Sequence, residues 1–258
     1  MKHVNAKITV NGQKVAEDAL LERHVSIMLQ NKSDNVLNLL SEFNENGYMH
    51  LVYEYCADGD LFDIVENGTQ LTMQDIQNYF SQIVAGLQCI HENGYAHRDL
   101  SLENILINEN ICKICDFGLV MKITQRSSVA VGKLNYMAPE VFSGQEYAPE
   151  AADMWSLGII LFMLLTGGAL ATEPSRSDPR FVFLQENGIR ALLELWNMEE
   201  NIPDSAVELL DGLLQIHPNQ RLDMTDLINH EWIQMQVQSI HHVKKSKFAN
   251  KFQWFVRH

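Results

Sequence analysis

The chain is short of positive charge. Lys and Arg total 19 against 33 Asp and Glu, a formal net charge of −14 at pH 7. That balance excludes a general electrostatic attraction to DNA, RNA or an anionic membrane, so no nucleic-acid partner is expected and cationic partners are more natural. Long hydrophobic runs are missing too. No stretch reaches the roughly 18 to 20 apolar residues of a membrane span, and the opening MKHVNAKITV has no apolar signal-peptide core. No transmembrane segment is therefore expected, and the chain is placed in the cytoplasm. Cysteine is limited to Cys56, Cys89, Cys112 and Cys115. The last two spell C-K-I-C, a spacing found at metal and redox sites. ICKICDFG reads as a short β segment, however, where residues three apart point to opposite faces, so reduced core thiols are favoured over a metal site. Internal repeats and low-complexity tracts are absent as well.

What is present suits a sizeable core: 258 residues, 46% hydrophobic, enough for one large or two small lobes. KHVNAKITV reads as a strand and N-G-Q as a turn. VAEDALLERHVSIMLQ reads as a helix whose apolar positions are Ala19, Leu20, Val25, Ile27 and Met28. VLNLLSEF and YMHLVYEYC form two strands around an E-N-G turn. A long helix follows Asp58 and Gly59, with Thr72 as N-cap and Gly94 as stop. AADMWSLGIILFMLLTGG is apolar nearly all round, the pattern of a helix at the centre of a domain. GIRALLELWN, DSAVELLDGLLQIH and MTDLINHEWIQMQ are further helices, separated by Pro203 and Pro218. Strands first and helices second predict an α+β fold of two unequal lobes.

Three stretches carry chemistry in a fixed order: HRDLSLENILI at 97–107, CDFGLV at 115–120 and MAPEVF at 137–142. One such motif is a weak signal, since a lone Asp before Leu is usually a solvated loop residue. Together, followed by an apolar helix opening D-M-W-S, they resemble the protein-kinase family of serine/threonine type, whose template chemistry is phosphoryl transfer. The resemblance implies a two-lobed fold with a truncated, β-rich small lobe at 1–55, a mainly helical large lobe at 56–235 and a basic, aromatic tail at 236–258. It implies ATP and Mg²⁺ as cofactors and a protein hydroxyl as acceptor. Asp99 matches the catalytic base, and Asn104 and Asp116 match the oxygen ligands of Mg²⁺. Leu106 matches the floor under adenine. The backbone of Glu54 and Cys56 matches the hinge that reads adenine's edge, with Tyr53 guarding the back pocket. Asp60 is grouped with the nucleotide site, and with Glu103 it matches positions that prefer basic side chains near the target hydroxyl. Asp153 is expected to anchor the catalytic loop, Glu140 and Arg221 to form a buried ion pair, and His97, Phe117, Met28 and Leu39 to stack as an apolar spine. Arg98 matches a residue that recognises phosphate on the activation segment, where Thr124, Ser127 and Ser128 are candidates.

The departures from the family are as informative. The usual wording HRDLKPEN has Lys two residues after the Asp, where this chain has Ser101. Further on, the family's G-T before the A-P-E run reads G-K, so Thr has become Lys133. The two positions are expected to have exchanged chemistry, the Lys133 ammonium reaching Asp99 from the opposite side. HVNAKI resembles the family's V-A-I-K strand and makes Lys7 the phosphate-pairing lysine, with Asn5 over adenine. Only six residues precede Lys7, too few for the hairpin of a glycine-rich loop, and Gly12 cannot replace it. In ERHVSIM the family register puts His24 where a helix Glu pairs with that lysine. Glu22 lies roughly 200° away round the helix. The reading is a protein serine/threonine kinase. Its alternative is a pseudokinase or N-terminally truncated kinase acting as a binding scaffold. The tail, with Lys244, Lys245, Lys247, Lys251 and Arg257 among Phe248, Phe252, Trp254 and Phe255, is expected to pack on the acidic lobe or to be disordered, with a partner or lipid surface as the alternative.

Overall fold

The computed structural model describes residues 18–234 together with the strand backbones of 7–10 and 13–16. The basic tail, Asn5, Gly12 and the side chain of Lys7 lie outside the described residues. Strand β1 (Lys7–Val10) pairs antiparallel with β2 (Gln13–Ala16) in register Lys7↔Ala16. The expected helix from Val15 thus starts later, as α1 (Ala19–Leu29). The reason is a cap: the Asp18 carboxylate accepts the amides of Leu20 and Leu21 at 3.1 and 3.0 Å, so the helix begins after it. Strands β3 (Leu39–Glu45) and β4 (Tyr48–Tyr53) form a separate two-stranded sheet. Asn46 and Gly47, at φ of 52° and 80°, make the tight hairpin turn that E-N-G predicts.

The helical remainder starts with α2 (Leu61–Glu66) and α3 (Met73–Glu92). Thr72 and Asp75 form a reciprocal capping box at the start of α3, and Gly94 ends it at φ 85°. Ile76, Phe80, Ile83, Val84, Leu87 and Ile90 make its buried face. The chain before β3 crosses that helix so closely that a Cβ on Gly86 would lie 2.5 Å from the Asn35 carbonyl oxygen. Short strands β5 (Tyr95–Ala96), β6 (Ile105–Asn108), β7 (Ile111–Ile114) and β8 (Met121–Lys122) pair as β5–β8 and β6–β7. Cys112 is buried within β7 and Cys115 lies just past it. All four cysteines are free, and no cluster of metal-ligating residues occurs among the described residues. Burial alone pushes the Cys112 thiol up to about 12, which keeps it protonated and inert.

Helix α4 (Pro139–Phe142) leads to α5 (Pro149–Thr166), the axis of the large lobe. By length and hydropathy alone α5 would pass for a membrane span. With 72% of it buried inside the fold, it is a core helix. Helix α6 (Pro179–Leu195) is longer than GIRALLELWN suggests. Asp178 caps a first segment that meets the second at a kink on Gly188, φ 79° and ψ 172°. Helices α7 (Asp204–Leu213) and α8 (Met224–Asn229) complete the lobe, and His230, in extended conformation, ends α8 within MTDLINHEWIQMQ. A buried ion pair ties α4 to the segment before α8. Arg221 donates to Glu140 at 2.9 and 3.2 Å, and its guanidinium lies over the Trp155 ring at 5.2 Å.

Candidate active site

The site is hung from α5. The buried carboxylate of Asp153 accepts the backbone amides of His97 and Arg98, each at 2.7 Å, and faces His91 Nε2 at 2.9 Å. These bonds hold the loop after β5 in an unusual turn, with Arg98 at φ 66°. His97 faces the Cys115 carbonyl through Nε2 at 3.0 Å and the Asp99 amide through Nδ1 at 3.3 Å. The proton therefore sits on Nε2, and the ring links the loop to the end of β7. Phe117, fully buried, packs edge-on against the same ring at 5.8 Å.

Asp99 is half-buried beside Asn104, whose Nδ2 donates to the Asp99 carbonyl at 2.8 Å and to Oδ2 at 3.0 Å. With its amide nitrogen so engaged, Asn104 turns its oxygen the other way. Asp116, at φ 69°, accepts the Gly118 amide at 3.4 Å, and its charge is felt at Asp99. Burial pushes the Asp99 carboxyl above the usual carboxylate range. The Lys133 charge and the Asn104 bond pull it back in part, while Asp116 adds to the rise. An upward net shift is what a proton acceptor working near neutrality needs.

Lys133 comes from the activation segment. Gly132, at φ 89°, passes so near the loop that a Cβ there would meet the Arg98 carbonyl oxygen at 2.7 Å and Asp99 Oδ1 at 3.4 Å. From that close crossing the Lys133 ammonium donates to the buried Ser101 hydroxyl at 2.6 Å and stands 3.5 Å from Glu103 Oε1. The structure thus brings Asp99, Ser101, Asn104 and Lys133 together. Glu103 is also engaged by the Tyr136 phenol, which burial and the Glu103 carboxylate hold well above its ordinary range.

The residues expected to line a nucleotide site sit between the β3–β4 sheet and the helical remainder. Among the described hydrogen bonds, none takes up the Cys56 amide or the Glu54 carbonyl, the two hinge groups. The Glu54 side chain is structural. It accepts the Asn38 amide at 2.8 Å and pairs with Lys113 at 3.1 Å. Leu106, half-buried on β6, bridges to Asp60, whose carboxylate caps α2 through the Asp63 amide at 2.9 Å.

One expectation is overturned on α1. His24 is exposed, whereas Glu22 is 3% exposed and faces inward with Val25, Ser26 and Leu29. Glu22, not His24, is therefore the α1 residue turned toward the site. Met28, expected in the spine, lies half-buried at the rim of that face. The physical reason is helical rotation: positions 22 and 24 lie about 200° apart, so the face buried through Val25, Ser26 and Leu29 includes Glu22 and leaves His24 outside, and the E-x-x-I-M match to residues 24–28 is two residues out of register. Sequence reasoning also missed the hydroxyl of Tyr53, which lies 2.9 Å from Ser26 Oγ and donates to Glu22 Oε1 at 3.4 Å. The i, i+4 spacing of Glu22 and Ser26 was the available signal.

Arg98 spans the activation segment. It donates to the Tyr147 hydroxyl at 2.9 and 3.3 Å and to the Leu119 carbonyl at 3.3 Å, with Ser127 Oγ and the Val129 carbonyl each at 3.5 Å. Backbone bonds between Ser127 and Tyr147 at 3.2 and 2.8 Å close the same loop.

The Asp99 carboxylate, the Asn104 amide and the Lys133 ammonium converge on one loop, and the family model described as protein kinase domain matches residues 1–233. The chain belongs to the protein kinase domain family. It is 33% identical to the Drosophila melanogaster serine/threonine-protein kinase grp over 215 residues, covering 81% of this chain and 41% of that protein. It is 31% identical to the Bos taurus serine/threonine-protein kinase 33 over 241 residues, covering 87% of this chain and 48% of that protein. The chain thus spans less than half the length of both relatives. The mixed small-strand and helical architecture is that of a kinase domain, and α5 carries its catalytic loop.

Proposed function

We propose that this kinase domain transfers the γ-phosphoryl group of ATP, with Mg²⁺, to a serine or threonine hydroxyl of a protein substrate. The observation that carries the proposal is the Lys133 ammonium on Ser101 Oγ at 2.6 Å, beside Asp99. Phosphoryl transfer asks little covalent chemistry of the protein and much positioning and charge. Asp99 would orient the acceptor hydroxyl and take its proton as the new P–O bond forms and the bond to the β-phosphate oxygen breaks. Lys133 would place a positive charge where the transferred group gathers negative charge. Lys7, by resemblance, would pair with the remaining phosphates, with Glu22 as its partner. Adenine would be read by the Glu54 carbonyl and the Cys56 amide over Leu106.

The residues present fit Mg²⁺. Asn104 Oδ1 is turned away from Asp99, and Asp116 supplies a carboxylate, a donor pair suited to an ion that takes its other ligands from phosphate and water. Such an ion, when bound, would offset charge on the phosphate oxygens. Glu103 and Asp60 would face basic side chains of a substrate, with Lys133 offsetting part of the Glu103 charge. The serine/threonine assignment follows S-L-E after HRDL and the names of both relatives.

The test is transfer of labelled γ-phosphate from Mg-ATP to a generic basic protein, with Asp99→Asn as the blank. Turnover well above that blank, released on phosphoserine or phosphothreonine, supports the proposal. Turnover equal to the blank overturns it and favours the binding-scaffold alternative.

A further inference from the structure

The α1 helix reaches the site through one small polar cluster that catalysis by Asp99 and Lys133 does not use. Glu22 and Ser26 are four residues apart on α1, so their side chains stack on one face of the helix, and both are buried, at 3% and 1% exposure. Tyr53, the last residue of β4, sends its hydroxyl between them. The phenol has one proton and gives it to Glu22 Oε1 at 3.4 Å, so the 2.9 Å bond to Ser26 runs from the serine hydroxyl to the phenol oxygen. The result is a directed relay, Ser26 to Tyr53 to Glu22. Burial above all, with the negative charge of Glu22, keeps the phenol protonated and able to donate. A second tie acts at the start of the helix, where the Asp18 amide donates to the Gly118 carbonyl, two residues past Asp116, at 3.1 Å.

We propose that the Tyr53 hydroxyl is a positioning group that latches α1 to β4 and so presents the Glu22 carboxylate on the side of Asp116. The role rests on the kinase reading for its effect on turnover, but not for its effect on the helix. Phenylalanine at 53 would fill the same space with the same ring, so the hydroxyl itself is what the latch uses. Tyr53 touches neither substrate nor the reacting atoms in this account. It acts through Glu22.

The experiment compares the wild-type chain with Tyr53→Phe, Ser26→Ala, Ser26→Thr and the Tyr53→Phe/Ser26→Ala pair. It reads amide hydrogen exchange along α1, α3 and α5, and kcat and KM for Mg-ATP. In Tyr53→Phe the α1 amides are expected to exchange about tenfold faster while α3 and α5 are unchanged, since only the local opening is altered. Turnover is expected to fall about tenfold in kcat with KM for ATP within about twofold, the pattern of a lost transition-state alignment rather than of lost binding. Ser26→Ala should match it, the double variant should be no worse than either, and Ser26→Thr, which keeps the hydroxyl, should stay near wild type. Unchanged α1 exchange in Tyr53→Phe overturns the latch, as do effects that multiply in the double variant. If the wild type shows no turnover, the kinase reading falls, and the exchange comparison alone decides the latch.

Discussion

The catalytic loop and helix α1 are held in opposite ways. The loop is tied by two backbone amides and a histidine on Asp153, by Asn104 on Asp99 and by His97 on Cys115, all anchored in the buried lobe around α5. Helix α1 meets the site through the Tyr53 relay and one backbone bond from Asp18 to Gly118, its ties from Gln30 to the Leu39 carbonyl and from Arg23 to Glu42 running instead to the β3 strand. A region with many mutually supporting bonds keeps its backbone when one side chain changes, and so tolerates Ser at 101 once a lysine arrives from position 133. A region with few bonds depends on each. The difference explains how a chain can alter a residue of its catalytic loop without losing the loop's shape.

The comparison is broken most severely from below. Arg221→Ala leaves the Glu140 carboxylate buried without its partner and is expected to cost about 3 to 5 kcal/mol of stability, measured by denaturant unfolding. An undiminished midpoint would show that the lobe is not tied there. Next, Lys133→Ala should lower kcat about tenfold to a thousandfold for a lost electrostatic stabiliser. Its unfolding midpoint should barely move, because the ammonium is half-exposed and its pairing with Glu103 is screened by solvent.

Asp99 separates stability from chemistry. Its carboxyl lies above the ordinary range in the fold, so the folded state holds its proton to higher pH than the unfolded chain does. Stability is therefore lost as pH rises from the unfolded pKa through the folded one. Asp99→Asn should abolish turnover yet unfold no earlier than wild type at neutral pH. Activity should fall as acid protonates Asp99, with a limb above the usual carboxylate region. Lys133→Ala removes a charge that favours ionisation, so the residual limb should move to higher pH, as a pH–rate profile of kcat/KM will show. The smallest effect belongs to the exposed Arg23–Glu42 pair, where Glu42→Gln should leave both turnover and the unfolding midpoint unchanged.

Much of the large lobe was legible because its signals are local or chemically specific. Thr72 with Asp75 marks a helix start, Gly94 a stop, and the unbroken apolar run of α5 a core helix. Asp153, Glu140 and Arg221 stand where the family resemblance put them, and once that resemblance set Ser101 in the place of the loop lysine, Lys133 could be set against Asp99 by charge. The small region was harder to read. Val15 and Ala16 suit a helix as well as a strand, and only the Asp18 cap decides between them. E-x-x-I-M is a short, loose pattern, and matching it to residues 24–28 sets His24 against the site. The roughly 200° of helical rotation between positions 22 and 24 turns Glu22 inward and His24 outward. The Tyr53 relay joins residues on two elements, and beyond the i, i+4 spacing of Glu22 and Ser26 on α1 nothing local to either element announces it.

The central claim is that the Lys133 ammonium does the work of the lysine missing from position 101. The most direct measurement is the kcat of Lys133→Ala beside that of Ser101→Lys/Lys133→Ala, with Asp99→Asn as the blank. A tenfold or greater loss in the first, largely recovered in the second, is the predicted result. Turnover in Lys133→Ala equal to that of the wild type would contradict it.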